Sequence, residues 1–236
     1  MEKQGSTYAS RSSLSEQVRN HLLDKIARGE LAPGDKIVEA RIAEELQVST
    51  IPVREAIREL VAKRVLEYLV HRGARVREVS MAETVDALRV KAVLEGLAAR
   101  LAGPKLLGLV PKLREYVPTL LGSVARHDFV EFQNLNQRFH RTIVEASENP
   151  ILLNLWDSLA FEVRTRFIMD YQKVVDPIVL AREHGDILHA IERQDTEQVA
   201  NLLMSHANGL VEYLHRQMRL NAGEALDTDA AAASSE

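Results

Sequence analysis

The sequence predicts a mainly α-helical protein made of two unlike parts. Only 5% of its 236 residues are aromatic and 46% are hydrophobic, and the frequent Leu, Ala, Glu and Arg favour helix. Up to residue 79 the predicted elements are short and include β-prone runs, whereas from Ser80 onward the apolar residues keep helical spacing. The charges divide at nearly the same place: residues 1–78 hold 14 Lys and Arg against 12 Asp and Glu, and residues 79–236 hold 16 against 22. A mildly basic first part on an acidic body is compatible with nucleic-acid binding.

Composition also excludes several classes of protein. The chain has no cysteine, so disulfide scaffolds, thiolate nucleophiles, zinc ribbons and iron–sulfur sites are ruled out. No apolar run approaches the ~20 residues of a membrane span, and the polar segment 1–13 lacks the hydrophobic centre of a signal peptide. We therefore expect a soluble, cytoplasmic protein with no membrane partner.

The first 79 residues are predicted to form short helices and strands in a definite order. Gly29 ends the first helix, Ser49 is placed to cap the third, and Pro52 lies in its first turn, where no backbone N–H is needed. Gly73 marks the tip of a hairpin. The predicted elements are a helix over 14–28, a turn at 31–35, an extended pair at 37–38, helices over 39–46 and 50–64, and strands over 66–70 and 74–79.

This order of elements is that of a winged helix-turn-helix. A second helix of about ten residues fits the DNA major groove and places its first residues against base edges, and a basic hairpin tip can neutralise phosphates. Charge alone leaves open that these arginines form an ordinary solvated face. The predicted DNA-contacting residues are Arg41, Ser49, Thr50, Arg54, Arg58, His71, Arg72 and Gly73.

The residues themselves favour the DNA-binding interpretation. The relevant stretches are 31–35, Glu39, 42–43, 48–57 and Leu60. They closely resemble the signature of the GntR family of bacterial transcription regulators, over about residues 12–79. The resemblance implies that Ser49, Thr50, Arg54 and the wing tip touch operator DNA. The family usually has Arg where this chain has Thr50, which could shift the bases that are read.

Residues 80–220 are predicted to form an antiparallel helical bundle. Ser80 and Glu83 make a capping box at its first helix, and Gly-Pro, Asn-Pro and Asp-Pro pairs separate later helices. The predicted helices are 80–101, 105–121 with interruptions at its prolines, 128–147, 151–174, 178–192 and 196–219. Residues 1–11 and 221–236 are predicted to be disordered by composition.

Three histidines of this bundle are candidates for metal ligation. Asn136 and His140 lie four residues apart on one helix and so share a face, and His184 and His206 lie on two later helices. Three imidazoles and one oxygen suit a single divalent ion, with Zn or Ni preferred. The alternative is that they are ordinary core residues. We assign the surface or core role to four others, His21, His127, His189 and His215.

The surroundings of these histidines carry a second resemblance. The relevant residues are Phe139-His140, Ser147, Asn149-Pro150, Glu183-His184, Asp195 and Met204 before His206. They resemble the FCD ligand-binding domain that defines the FadR-type branch of GntR regulators. The resemblance implies a metal held by three histidines and an aspartate, with a small carboxylate effector. This chain has Asn136 where the family usually has Asp. It also has Lys91, four before Glu95, where Arg is common.

The sequence therefore predicts an effector-responsive transcriptional regulator that acts as a repressor. Besides Lys91, Arg138 and Arg164 are candidates to hold the effector carboxylate. A homodimer is expected because one recognition helix reads only a half-site. The first alternative is a metal-dependent hydrolase or lyase with Glu145 or Glu183 as base, although no His-Glu-x-x-His helix, phosphate loop or nucleophile elbow is present. The second is a helical interaction module without a small ligand.

Overall fold

The computed structural model describes residues 13–69, 73–161, 163–164 and 177–221 of the chain. The chain divides into two compact units, with the boundary between Glu78 and Val79. Several predictions lie outside the described residues: disorder at 1–11 and, apart from Asn221, at 221–236, the wing-tip residues His71 and Arg72, and most of the helix predicted to continue to 174. Asn221 is predicted to be disordered but is the last residue of a helix.

The first unit is built from short helices and a small antiparallel sheet. Its described elements are α1 (Leu14–Arg28), β1 (Lys36–Ile37), α2 (Glu39–Leu46), α3 (Thr50–Ala62), β2 (Leu66–Leu69) and β3 (Gly73–Val76). β3 lies between the other two strands and pairs antiparallel with both, Lys36 facing Arg75 and Leu66 facing Val76. The core includes apolar residues of α1, α3, β2 and β3 that are no more than 1% exposed, among them Val18, Leu22, Ile26, Val53, Ile57, Leu60, Leu66 and Val76.

Local signals in the sequence determine where the first helix begins and ends. The Ser13 hydroxyl accepts a hydrogen bond from the Glu16 amide at 3.1 Å, which satisfies one of the free N–H groups of the first turn. Gly29 adopts φ 75°, a left-handed conformation that glycine enters without steric cost, and its N–H bonds the last turn. The predicted limits of this helix are therefore confirmed.

The second unit consists of packed helices. Its described elements are α4 (Met81–Ala102), a 3₁₀ helix (Gly103–Leu109), α5 (Val110–Ala125), α6 (Phe129–Ala146), α7 (Pro150–Ser158), α8 (Pro177–Glu192) and α9 (Thr196–Asn221). The Ser80 hydroxyl accepts from the Glu83 amide at 3.1 Å, so α4 begins at its predicted cap. None of the helices in the described part of the chain is long and apolar enough to cross a membrane.

Two predicted helices of this unit differ from the structure. The segment from Lys105 is a 3₁₀ helix, and α5 then runs on to Ala125 with Pro118 inside it, because a proline removes one backbone donor without always ending a helix. The predicted helix over 151–174 is wrong as a continuous element. α7 ends at Ser158, and Ala160 has φ 51°, which a right-handed helix cannot contain.

Candidate DNA-binding surface and metal centre

The residues predicted to touch DNA lie on the exposed sides of α2 and α3. Arg41, Arg54 and Arg58 are exposed. Ser49 precedes α3 in an extended conformation, and its hydroxyl makes no capping hydrogen bond, so it is available to another partner. Buried Pro52 and Val53 hold the first turn of α3 against the unit. The start of this helix therefore presents polar side chains and free N–H groups outward.

Arg54 is the best-defined side chain of this surface. Its Nε donates to Oε2 of Glu39 on α2 at 2.6 Å, and the Arg54 side chain remains 57% exposed. The pair therefore braces the guanidinium across two helices while its other donors face solvent. Thr50 is half-buried and Gly73 has φ +81° at the start of β3, whereas His71 and Arg72 lie outside the described residues.

In the helical unit, three histidines from three helices converge. His140 on α6 and His184 on α8 are 0% exposed, and the His206 side chain on α9 is 10% exposed. Their ring centroids are 4.8–5.3 Å apart. One ring nitrogen from each lies within 4.8 Å of those of the others. The fold thus brings together ring nitrogens of residues that are up to 66 positions apart in the sequence.

Each imidazole has its Nδ1 beside an oxygen acceptor. His184 Nδ1 lies 2.7 Å from the Leu180 carbonyl oxygen, and His206 Nδ1 lies 2.6 Å from Glu183 Oε2. His140 Nδ1 is 2.9 Å from Glu95 Oε2, close enough for a hydrogen bond but not aligned as one. A proton held on Nδ1 leaves the Nε2 lone pair for a metal, which is the usual arrangement of metal-binding histidines.

The Nε2 atoms of His140 and His184 and the Oδ1 atom of Asn136 are suitable ligands for a cation. His140 Nε2 is buried and has no hydrogen-bond partner among the described residues. His184 Nε2 lies 2.9 Å from Asn136 Oδ1. If His184 carries its proton on Nδ1, then His184 Nε2 and Asn136 Oδ1 face each other with lone pairs. A cation bound by both atoms would remove this repulsion. Nitrogen and oxygen donors of this kind suit Zn²⁺ or Ni²⁺.

Burial keeps His140 and His184 in the neutral form that can bind a metal. It lowers the pKa of His140 to about 4, although the Glu95 carboxylate acts in the opposite direction. Burial also lowers the pKa of His184 well below its usual range, and the neighbouring His206 and His140 add to this shift. Both rings are therefore neutral near pH 7, so a metal need not displace a proton from them.

Behind His140 lies a buried carboxylate, which the sequence did not identify as part of the site. Glu95 on α4 is 0% exposed, and its Oε1 lies 2.7 Å from Lys91 Nζ and accepts from Trp156 Nε1 at 2.8 Å. Burial opposes its ionisation, but His140 and Lys91 outweigh this effect and hold the pKa of Glu95 below its usual range. A possible signal was a Lys and a Glu four residues apart among the small apolar residues of α4.

A cavity of about 510 Å³, including its open mouth, adjoins the histidines. Lys91, Gln133, Asn136, Gln137 and His206 are the polar residues of its wall, and the other lining residues are apolar. The apolar residues are Leu88, Phe132, Phe161, Leu180, Ala207 and Leu210. The cavity therefore combines a few polar groups with an apolar lining, as small-molecule sites commonly do.

The three basic residues predicted to hold an effector are placed differently. Lys91 lines the cavity and is paired with Glu95. Arg138 is exposed, and neither it nor Arg164 is part of the described cavity wall. Arg164 is buried and donates to the Leu159 carbonyl at 2.7 Å and to Glu83 Oε1 at 3.0 Å. The structure thus brings only Lys91 of the three to the histidine cluster.

The four histidines assigned to other roles lie away from this cluster. His189 Nδ1 lies 3.2 Å from the Gly185 carbonyl oxygen within α8. His215 Nε2 is 2.9 Å from an Arg89 nitrogen, and His21 Nε2 is 3.2 Å from Glu45. His127 follows α5 with φ 55°. Of the described histidines, only His140, His184 and His206 form a potential metal-binding group.

Comparison with known proteins gives matches over both units. The profile of the FCD domain matches residues 86–209, and that of the bacterial regulatory proteins of the gntR family matches residues 14–76. A probable D-xylose utilization operon transcriptional repressor of Paenarthrobacter nicotinovorans is 34% identical, over 90% of this chain and 92% of that protein. The transcriptional regulator McbR of Escherichia coli is 28% identical, over 87% of this chain and 94% of that protein.

Solved structures show the same fold. The structure of E. coli McbR/YncC has a TM-score of 0.74 at 24% identity and covers 88% of this chain and 100% of its own. A putative GntR regulator from Rhodococcus has a TM-score of 0.69 at 20% identity and covers 87% of this chain and 99% of its own. The predicted mainly helical fold, with an N-terminal winged helix-turn-helix and a helical C-terminal domain, is thus confirmed.

These matches distinguish between the regulator and the enzyme that the sequence left open. They support a transcriptional regulator and give no support to the hydrolase or lyase alternative. GntR regulators bind operator DNA and commonly act as dimers, and some FCD domains bind metals. The chain belongs to the GntR family of DNA-binding transcriptional regulators and carries an FCD domain.

Proposed function

We propose that this regulator is a repressor that holds a divalent metal, Zn²⁺ or Ni²⁺, and uses it to sense a small carboxylate metabolite. The observation that carries the proposal is the convergence of three imidazoles whose Nδ1 atoms each face an acceptor. Nε2 of His140, His184 and His206 would bind the metal, with Asn136 Oδ1 as a fourth ligand. When bound, the metal supplies a positive charge and open positions for an anion.

The charge of the site favours an anionic effector. Neutral imidazoles and an amide leave both positive charges of a divalent ion uncompensated, whereas the family's Asp would remove one. The cavity beside the histidines is lined by Lys91, which lies 2.7 Å from Glu95. A carboxylate bound there would meet the metal on one side and compete with Glu95 for the Lys91 ammonium on the other. Arg138 and Arg164, which the sequence also suggested, have no such position in the described cavity.

We assign operator binding to residues 12–79 and effector binding to residues 80–220. The DNA-contacting side chains would be Arg41, Ser49, Thr50, Arg54 and Arg58, together with the wing tip at 71–73. Exposed arginines at the start of a helix can reach bases and phosphates. Two names among the relatives support the repressor role: the D-xylose operon repressor and the E. coli repressor RspR, which is 24% identical over 87% of this chain. The protein would act in the cytoplasm, where bacterial operator DNA lies.

We propose a homodimer, which would allow two recognition helices to read a two-fold operator. One side of α4 carries apolar residues that are 43–60% exposed: Val90, Val93, Leu97 and Leu101. Their spacing places them on a continuous stripe, the kind of surface that a second copy would bury. Val93→Asp should therefore shift the protein from dimer to monomer in sedimentation analysis.

Metal content and thermal unfolding test the proposed centre. Purified protein should contain one divalent ion per chain, and a chelator should lower its melting temperature because the ion binds only the folded state. Replacement of His140, His184 or His206 by Ala should remove both the ion and the chelator effect. His189→Ala is the matched control, since this residue lies on α8 but faces the Gly185 carbonyl. Equal effects from His184→Ala and His189→Ala would overturn the proposed site.

A further inference from the structure

Glu95 on α4 contacts side chains of α4, α6 and α7, and each of its two carboxylate oxygens has different neighbours. On one side, Lys91 Nζ and Trp156 Nε1 lie 2.7 Å and 2.8 Å from its Oε1. On the other side, His140 Nδ1 lies 2.9 Å from its Oε2. The side chains of Glu95 and His140 are fully buried. Water therefore does not compete for these contacts.

The chemistry of these neighbours restricts the position of the His140 proton. A lysine ammonium and an indole N–H can only donate hydrogen bonds, whereas an imidazole can donate or accept through either nitrogen. A carboxylate accepts on both oxygens, so it can satisfy Lys91 and Trp156 at one end and an N–H of His140 at the other.

We propose that Glu95 is a positioning residue that holds the proton of His140 on Nδ1 and so keeps Nε2 available as a metal ligand. This inference rests on the proposed metal centre and assigns to that centre a residue on a fourth helix, α4. Glu95 itself would not touch the metal. Its carboxylate would set the tautomer and ring orientation of His140, as oxygen acceptors behind metal-binding histidines do.

Substitution of Glu95 by Gln tests this role with almost no change in shape. The amide has one oxygen and one NH₂ group, and the two donors Lys91 and Trp156 both require the oxygen. The NH₂ group then faces His140 Nδ1, which must accept a hydrogen bond, and the imidazole proton must reside on Nε2. An Nε2 that carries a proton has no free lone pair. Glu95→Gln should therefore weaken metal binding by about 10-fold to 100-fold, the range found when such outer partners are changed.

The experiment uses full-length protein freed of metal and labelled with ¹⁵N-histidine. Zn²⁺ is titrated against a competing chelating dye, and the ¹⁵N shifts of His140 report which ring nitrogen carries the proton. We expect wild-type protein to have the Nδ1–H tautomer, and Glu95→Gln to have the Nε2–H tautomer together with the weaker Zn²⁺ binding. Trp156 is the single tryptophan of the chain, so its emission reports changes at Glu95 directly.

Two further variants make the outcomes distinguishable. Glu83→Gln is the matched control, because Glu83 lies on the same helix but pairs with Arg164, and its Zn²⁺ affinity should equal that of wild type. His140→Ala shows the loss expected when a ligand is removed. If wild type and His140→Ala bind Zn²⁺ equally, the metal centre itself is wrong. If His140→Ala loses Zn²⁺ affinity but Glu95→Gln keeps both the Nδ1–H tautomer and the wild-type Zn²⁺ affinity, the proposed role of Glu95 is overturned.

The His140 tautomer of wild-type protein tests the role of Glu95 even if Glu95→Gln does not fold. An Nε2–H tautomer of His140 in metal-free wild-type protein would contradict it without any variant. A merely structural Glu95 would stabilise the fold but would not determine which nitrogen carries the proton.

Discussion

Two ion pairs, one in each unit of the chain, lie in opposite environments. In the first unit, the Arg54–Glu39 pair is open to water, with side-chain exposures of 57% and 34%. In the second, Lys91 and Glu95 form a pair with exposures of 6% and 0%. Salt screens the first pair and hardly reaches the second. We therefore expect substitutions at the exposed pair to change DNA binding with little effect on stability, and those at the buried pair or the histidine cluster to change metal binding and stability.

The largest expected effect comes from removing a histidine of the cluster. Wild-type protein with metal at 100 times its dissociation constant gains about 2.7 kcal/mol of stability. A chelator should therefore lower the melting temperature by roughly 5–10 °C in a chain of this length. His184→Ala should abolish that difference between scans with and without chelator. It should leave binding to nonspecific DNA intact, since His184 lies in the other unit.

A His184→Ala protein whose melting temperature still falls by several degrees with chelator would contradict this prediction. It would mean that the metal which stabilises the protein binds elsewhere.

Arg54→Ala should have the next largest effect, and on DNA alone. If the guanidinium reads a base edge, affinity for a specific operator should fall roughly 10-fold to 100-fold. The melting temperature should stay close to that of wild type because an exposed ion pair contributes little. Both quantities come from a binding isotherm and a thermal scan of the same sample.

Arg28→Ala is the matched control for Arg54. Arg28 is also exposed and paired with an acidic residue, Asp24, but it lies at the end of α1. Equal losses of affinity from the two variants would show that general charge, and not base reading, accounts for the effect of Arg54.

The sequence predicts the first unit better than the second for a physical reason. The limits of α1 follow from Ser13 and Gly29, which act on backbone groups within a few residues. The residues predicted to contact DNA likewise lie on neighbouring elements. Their chemistry can therefore be recognised from a short continuous stretch, without any knowledge of how distant helices pack.

In the second unit, the sequence suggested the three histidines, Asn136 and Lys91, but not a role for Glu95. His140, His184 and His206 could be proposed from residue type and resemblance. Glu95 could not, because a glutamate on a helix is usually solvated, and only packing of α4 against α6 and α7 places it beside His140 and Trp156. The end of α7 at Ser158 was missed for a related reason, since no glycine or proline marks it and Ala160 takes the left-handed conformation.

Asn136→Asp should produce an intermediate effect within the buried cluster. A carboxylate in place of the Asn136 amide, whose Oδ1 lies 2.9 Å from His184 Nε2, adds a negative ligand and should tighten Zn²⁺ binding by about tenfold. The same charge should weaken the binding of a small carboxylate, because it offsets part of the metal's attraction. Calorimetric titration with Zn²⁺ and then with a weakly chelating carboxylate such as acetate measures both. Unchanged Zn²⁺ affinity would show that Asn136 is not a ligand.

Glu39→Gln should have the smallest effect on DNA binding. It measures what the Arg54–Glu39 pair contributes to operator specificity. Glu39 is the acceptor for Arg54 Nε at 2.6 Å and carries a negative charge on the surface proposed to face phosphates. Loss of the Glu39 charge should slightly raise the affinity for a scrambled duplex, because it removes repulsion from the phosphates. The same loss weakens the hydrogen bond to Arg54, so Arg54 can reorient and the affinity for the operator should fall. The ratio of specific to nonspecific affinity should therefore fall by about threefold, measured with both duplexes at two salt concentrations. If the ratio is unchanged while both affinities rise together, Glu39 acts on DNA only through its charge. Arg54 then needs no acceptor to hold its orientation.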